Sequence, residues 1–253
     1  MRVIKYIIAF LMVVLIPLSA YGDRSGYSII AMKNAAADPC GDMGASGTYA
    51  GWWNGEYYAD TDKMCVNSGV STADGADSGG VIVEAGKING VYGALLNGDN
   101  DYVRWAAPST TIDNSGTLIM TVTTPASYSA ITQFFEICAS GCDGNDVIYG
   151  WVNHVTGYLW FNYMVGGVSK FCAGADVLPT SDTTIIKFTW DDNLAGSDMC
   201  VKVGANAWDC QDNDMTDSSN LTTFSLGDDQ LGTYGVADSF KVDDVKIIEG
   251  FQQ

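Results

Sequence analysis

Short runs in which apolar and polar residues alternate recur along most of the chain, and β-branched and aromatic residues dominate them. Side chains along a strand point to opposite faces in turn, so a two-residue period marks a strand with one buried face. On this basis strands are expected at 27–32, 81–85, 94–97, 102–106, 117–124, 131–138, 147–153, 158–164, 168–172, 183–190, 199–203, 222–226 and 242–249. Gly, Asn and Asp fill nearly every gap between them, and no segment carries an apolar helical stripe ten residues long. The pattern predicts an all-β protein: a two-sheet antiparallel sandwich of the jelly-roll kind.

Two stretches depart from the alternation. Residues 38–80 place Gly44, Gly47, Gly51, Gly55, Gly69, Gly75, Gly79 and Gly80 among aromatic and acidic residues, which reads as a disulfide-tied surface excursion. At the start, Arg2 and Lys5 precede an apolar run over 7–16 that Pro17 ends, followed by Ser19, Ala20, Tyr21 and Gly22. That is the layout of a secretory signal peptide, expected as a short helix over 1–22 with cleavage after Gly22. The run falls short of the roughly 20 residues a membrane-spanning helix requires. A secreted or cell-surface location is therefore expected, with residues 23–253 as a single domain.

Charge narrows the partners. The formal net charge is −18, and loss of Arg2 and Lys5 with the leader would make it −20. Such a field repels phosphate backbones, so nucleic acid is not an expected partner. No glycine-rich loop joins a strand to a helix, so no nucleotide is expected either. Only Glu56, Glu84, Glu136 and Glu249 are glutamates, and the other 26 acids are aspartates, a residue suited to turns and cation sites.

Seven cysteines in an exported chain point to disulfides with one thiol left over. Cys200 and Cys210 flank a short hairpin turning at Gly204, Ala205 and Asn206, and are expected to face each other. Cys40 and Cys65 are expected to close the N-terminal excursion, and Cys138 and Cys142 to pair at one turn. Cys172 is left free, placed at the end of its strand, and offers self-association through its thiol, as the sheet edges do through their backbone.

Candidate chemistry concentrates in one hairpin. Tyr149, Trp151 and Asn153 share a face of one strand, and Tyr158, Trp160 and Asn162 share a face of the next, while Ile148, Val152, Leu159 and Phe161 point the other way. Flat aromatics flanked by amides suit sugar rings. For calcium, which takes carboxylate and carbonyl oxygens, Asp243 is the leading candidate. It lies in phase with Val245 and Ile247, which directs its carboxylate toward the interior. Asp99, Asp101, Asp143 and Asp146 are weaker candidates, and any calcium is expected to be structural. Catalysis finds little support. Retaining glycosidases hold two carboxylates about 5 to 5.5 Å apart, and no two glutamates here lie within twenty residues of each other. The single histidine, His154, falls in a turn and reads as solvated.

Four places in order resemble the laminin-G-like, concanavalin A-like jelly-roll family. Gly51-Trp52-Trp53-Asn54-Gly55-Glu56 is similar to its aromatic opening strand and acidic turn. Gly86-Lys87-Ile88-Asn89-Gly90 through Asp101-Tyr102-Val103 resembles its central segment. Residues 185–190 with 199–204 resemble its paired strands ending in a tight Gly turn. Leu226-Gly227 followed by Val242-Asp243-Asp244-Val245-Lys246-Ile247 resembles its closing signature. The resemblance implies a two-sheet sandwich, often calcium-bearing, that binds carbohydrates or proteins. The expected function is non-catalytic recognition of glycans or an extracellular protein. A structural subunit of a filament or matrix is the alternative, and a polysaccharide hydrolase the least favoured.

Overall fold

The computed structural model describes residues 50–53, 63–66, 69–72, 82–85, 92–96, 102–107, 111–129, 131–139, 145–194, 196–215, 221–227 and 240–253. The predicted leader over 1–22 and the strand expected at 27–32 lie outside them. The strands are β1 (Gly51–Trp53), β2 (Lys63–Val66), β3 (Gly69–Thr72), β4 (Ile82–Ala85), β5 (Tyr92–Leu96), β6 (Tyr102–Ala106), β7 (Ser115–Thr123) and β8 (Thr132–Ala139). They continue with β9 (Val147–Val152), β10 (Tyr158–Val165), β11 (Val168–Val177), β12 (Thr183–Asp191), β13 (Met199–Val203), β14 (Asp209–Gln211), β15 (Leu221–Gly227) and β16 (Phe240–Glu249).

These strands form two antiparallel sheets. One has ten strands, ordered β14-β13-β12-β7-β16-β1-β2-β3, with β5 also on β16 and β4 on β5. The other has six, ordered β11-β10-β9-β8-β15-β6. Every register pairing is antiparallel, as expected for strands joined by short turns.

Alternation explains which faces meet. On β7, Leu118, Met120 and Val122 are buried while Ile119 and Thr121 are partly exposed. Their register partners Phe188 and Ile186 on β12 point the same way. From the facing sheet come Phe135, Ile137, Ile148, Leu159 and Phe161, all fully buried. The sheets lock through aromatic contacts: Phe161 lies 5.5 Å from Phe188 and 5.8 Å from Trp190, and Phe135 lies 5.0 Å edge-on to Phe188. Trp190 also donates its indole N–H to the Ile112 carbonyl at 2.8 Å, so its one polar group is satisfied in the core.

Most strands fall where the alternation places them, and β6 and β13 match residue for residue. Three differences have physical causes. The 38–80 stretch was expected to be a surface excursion, yet 51–53, 63–66 and 69–72 are strands that extend the ten-stranded sheet, and Trp53 and Met64 are fully buried. Strands of three or four residues are too short to show a period. β11 does not end at Cys172 but runs on to Val177, since neither Ala173 nor Gly174 breaks a strand. β14 was not foreseen, and its three residues are held on β13 across the Cys200–Cys210 disulfide.

Gly150 shows how close the sheets approach. It points inward from β9, and an added Cβ would stand 2.4 Å from the Phe135 ring and 2.8 Å from Phe188. Gly150→Val should therefore cost about 1–3 kcal/mol by overpacking. A urea unfolding curve will register this as a lower midpoint at unchanged slope, and an unchanged midpoint would show the interface to be looser than described.

Candidate functional site

The β9–β10 hairpin owes its shape to residues 153–157. The Asn153 side-chain oxygen accepts the backbone N–H of Val155 at 2.9 Å and of Thr156 at 3.3 Å, and Gly157 takes a positive φ of 72°. This turn fixes the register, setting Trp151 opposite Trp160 and Tyr149 opposite Asn162. Ile148, Val152, Leu159 and Phe161 fill the core from the other side, as the alternation required. Four of the six predicted ligand-facing residues thus stand together. The other two do not join them: Asn153 spends its oxygen on the turn, and Tyr158 sits at the hairpin end opposite Val177. His154 is exposed in the same turn.

The rings form a cross-strand ladder. Trp151 and Trp160 lie 5.1 Å apart, tilted by 37°, and Trp160 stacks on Phe171 at 5.2 Å and 15°. Phe171, on β11, was missed by sequence reasoning. The tight Gly166–Gly167 turn sets it opposite Asn162, so counting outward from that turn would have found it. Asn162 ties the ladder together. Its carbonyl oxygen accepts the Trp151 indole N–H at 2.8 Å, and its amide donates to Ser169 at 3.4 Å. The amide is therefore a brace for Trp151. The Trp160 indole nitrogen is buried and has no acceptor.

The same row continues across the sheet. Glu136 on β8 is the register partner of Tyr149, Ser225 on β15 that of Glu136, and Arg104 on β6 that of Ser225. Glu136, Gln133 and Ser225 are fully buried, with Gln133 donating to Glu136 at 3.0 Å and Arg104 to Ser225 at 3.4 Å. The accessible part of the row is therefore its aromatic end, where Phe171 is 43% exposed and both tryptophans are partly so. Glu136 is the one carboxylate in the row, and neither of its register partners supplies a second. Among the described residues of this row, Glu136 therefore has no second carboxylate beside it of the kind a retaining glycosidase holds.

The candidate metal ligands have structural work. On β16, Asp243 pairs with Thr121 but Lys246 pairs with Ile119, so one extra residue is accommodated where Asp244 adopts a φ of +47°. This bulge reverses the phase. Asp243 is buried, as expected, but it shares a face with Thr121, opposite to the core face of Val245 and Ile247. Its carboxylate accepts the Asp244 N–H at 2.7 Å, and Asp244 pairs with Lys246 at 2.6 Å. Asp146 accepts the Gly166 N–H at 2.9 Å and holds the β10–β11 turn. Asp99, Asp101 and Asp143 lie outside the described residues. Among the described residues no three His, Cys, Asp or Glu side chains gather as metal ligands.

The cysteines separate clearly. Cys200 and Cys210 are joined across their hairpin. Cys138 is disulfide-bonded, while its predicted partner Cys142, like Cys40, lies outside the described residues. Cys172 is free and buried within β11, facing the core beside Phe161, not at a strand end. Burial, followed by the nearby Asp209 carboxylate, pushes its thiol up to about 12.

No family model matches the chain, and no curated protein matches it in sequence. Its fold is similar to solved structures. The botulinum neurotoxin serotype D binding domain superposes with a TM-score of 0.57 at 10% identity, covering 81% of this chain and 49% of that one. The binding domain of botulinum neurotoxin DC, solved in complex with SialylT, gives 0.57 at 9% identity, covering 83% and 49%. Trypanosoma rangeli sialidase gives 0.56 at 12% identity, covering 80% and 30%. This chain thus spans half or less of each neighbour's length, and at such identity the likeness is one of fold.

A thiol held near 12 carries almost no thiolate at pH 8, and the thiolate is the reactive form. Native protein should leave Cys172 unlabelled by iodoacetamide at pH 8, and denatured unreduced protein should label it fully, as peptide mass spectrometry would read. Rapid labelling of the native protein would contradict the burial described.

Proposed function

We propose that this protein is an exported, non-catalytic module that binds glycans through the aromatic end of its six-stranded sheet. The observation that carries the reading is the braced ladder of Trp151, Trp160 and Phe171, partly exposed at the edge of the six-stranded sheet. Apolar sugar faces pack on such rings, and a ladder already fixed by Asn162 loses little side-chain freedom on binding. The binding domains similar in fold include one solved with N-acetylneuraminic acid and one with SialylT, which supports a carbohydrate ligand. The lone carboxylate of the row supports binding over hydrolysis. The structural-subunit alternative loses one of its routes, because the Cys172 thiol is buried.

A glycan array tests this. Phe171→Ala, at an exposed position, should keep the melting temperature within a few degrees and weaken retention of the bound glycan on the order of tenfold, the loss of one aromatic contact. Asn162→Ala should weaken it also, by releasing Trp151. Retention unchanged in both variants would remove the ladder from the binding surface.

A further inference from the structure

β11 is the edge strand of the six-stranded sheet, and its outer edge is blocked by side chains. The Ala175 N–H donates to the Asp209 carboxylate at 2.7 Å, and the Phe171 carbonyl accepts from the Asn213 amide at 3.0 Å. The Cys172 thiol donates to the Asp209 carbonyl at 3.3 Å. All three contacts come from residues 209–213, the segment that Cys210 ties to Cys200. An unpaired edge is a template for another strand, and proteins guard such edges with charges and bulges. Here a carboxylate and an amide occupy backbone groups that a neighbouring strand would otherwise take.

We infer that the β11 edge is a self-pairing surface for a second copy of this chain, kept shut in the monomer by the disulfide-tied 209–213 segment. The occupant follows from the strand's own sequence. Antiparallel pairing of two β11 strands about Ala173 sets Phe171 of one copy opposite Ala175 of the other. The two blocked groups, the Phe171 carbonyl and the Ala175 N–H, then become each other's partners between copies. The same register sets Lys170 opposite Asp176 of the second copy, twice by symmetry. Neither Lys170 nor Asp176 has an ion-pair partner within the chain among the described residues. A strand that is polar and charged without complement would not fit itself in this way.

Light scattering on size-exclusion peaks tests the inference with the full exported chain. Wild type should run at monomer mass, and Asp209→Ala with Asn213→Ala should shift it to dimer mass. Adding Ala175→Pro to that double variant should restore the monomer, because it removes an N–H that faces away from β10. Return to monomer mass also shows that the double variant folds. Adding Lys170→Asp instead should break the dimer, and adding Asp176→Lys to that should reform it. A double variant that stays monomeric overturns the inference, as does association that survives Ala175→Pro or ignores the charge reversal.

Discussion

The close approach of the two sheets along Phe135, Gly150, Phe161 and Phe188 governs the rest of the molecule. Aromatic rings from β8 and β10 meet Phe188 on β12 at 5.0 and 5.5 Å, over a glycine whose hydrogen leaves the only space available. Interiors this dense tolerate no slip, and a one-residue shift of β10 would exchange Phe161 for Trp160. By fixing which side of β9 and β10 is buried, the core fixes which side is not. The ladder of Trp151, Trp160 and Phe171 is the outward consequence of an inward constraint.

The outer surfaces are finished by local polar bonding. Asn153 closes the β9–β10 turn, Asp146 the β10–β11 turn, and Asn162 braces Trp151. Asp198, almost wholly buried, accepts the backbone N–H groups of Asn213 and Met215, both at 2.8 Å, and so positions the segment that guards β11. Asn153, Asp146, Asp198 and Asp243 each accept backbone N–H groups, because short polar side chains bond nearest to the backbone around them.

Fold and function stand on different footing. The likeness to binding domains and to a sialidase is one of architecture, and such sandwiches carry many activities. What favours a glycan ligand is the ladder of rings and its Asn162 brace. The laminin-G resemblance of the sequence has no matching family model behind it, yet the sandwich it implied is the one observed.

The all-β class, most strand positions, the hairpin disulfide and the grouping of Tyr149, Trp151, Trp160 and Asn162 were legible from residue order. Each follows from a two-residue period or a turn of a few residues, both local properties of the chain. What lay beyond reach came from non-local contacts. Phe171 joins the ladder only through the β10–β11 register, and Asp243 turns away from the core because a bulge at Asp244 shifts the phase. Of the strands within 38–80, β1 is held by pairing to β16 far along the chain, with Gly51 opposite Ile247, and β2 and β3 follow it in the sheet; too few residues alternate there to announce them. Period is written in the sequence. Which edge meets which, and where a strand absorbs an extra residue, is decided by packing across the whole chain.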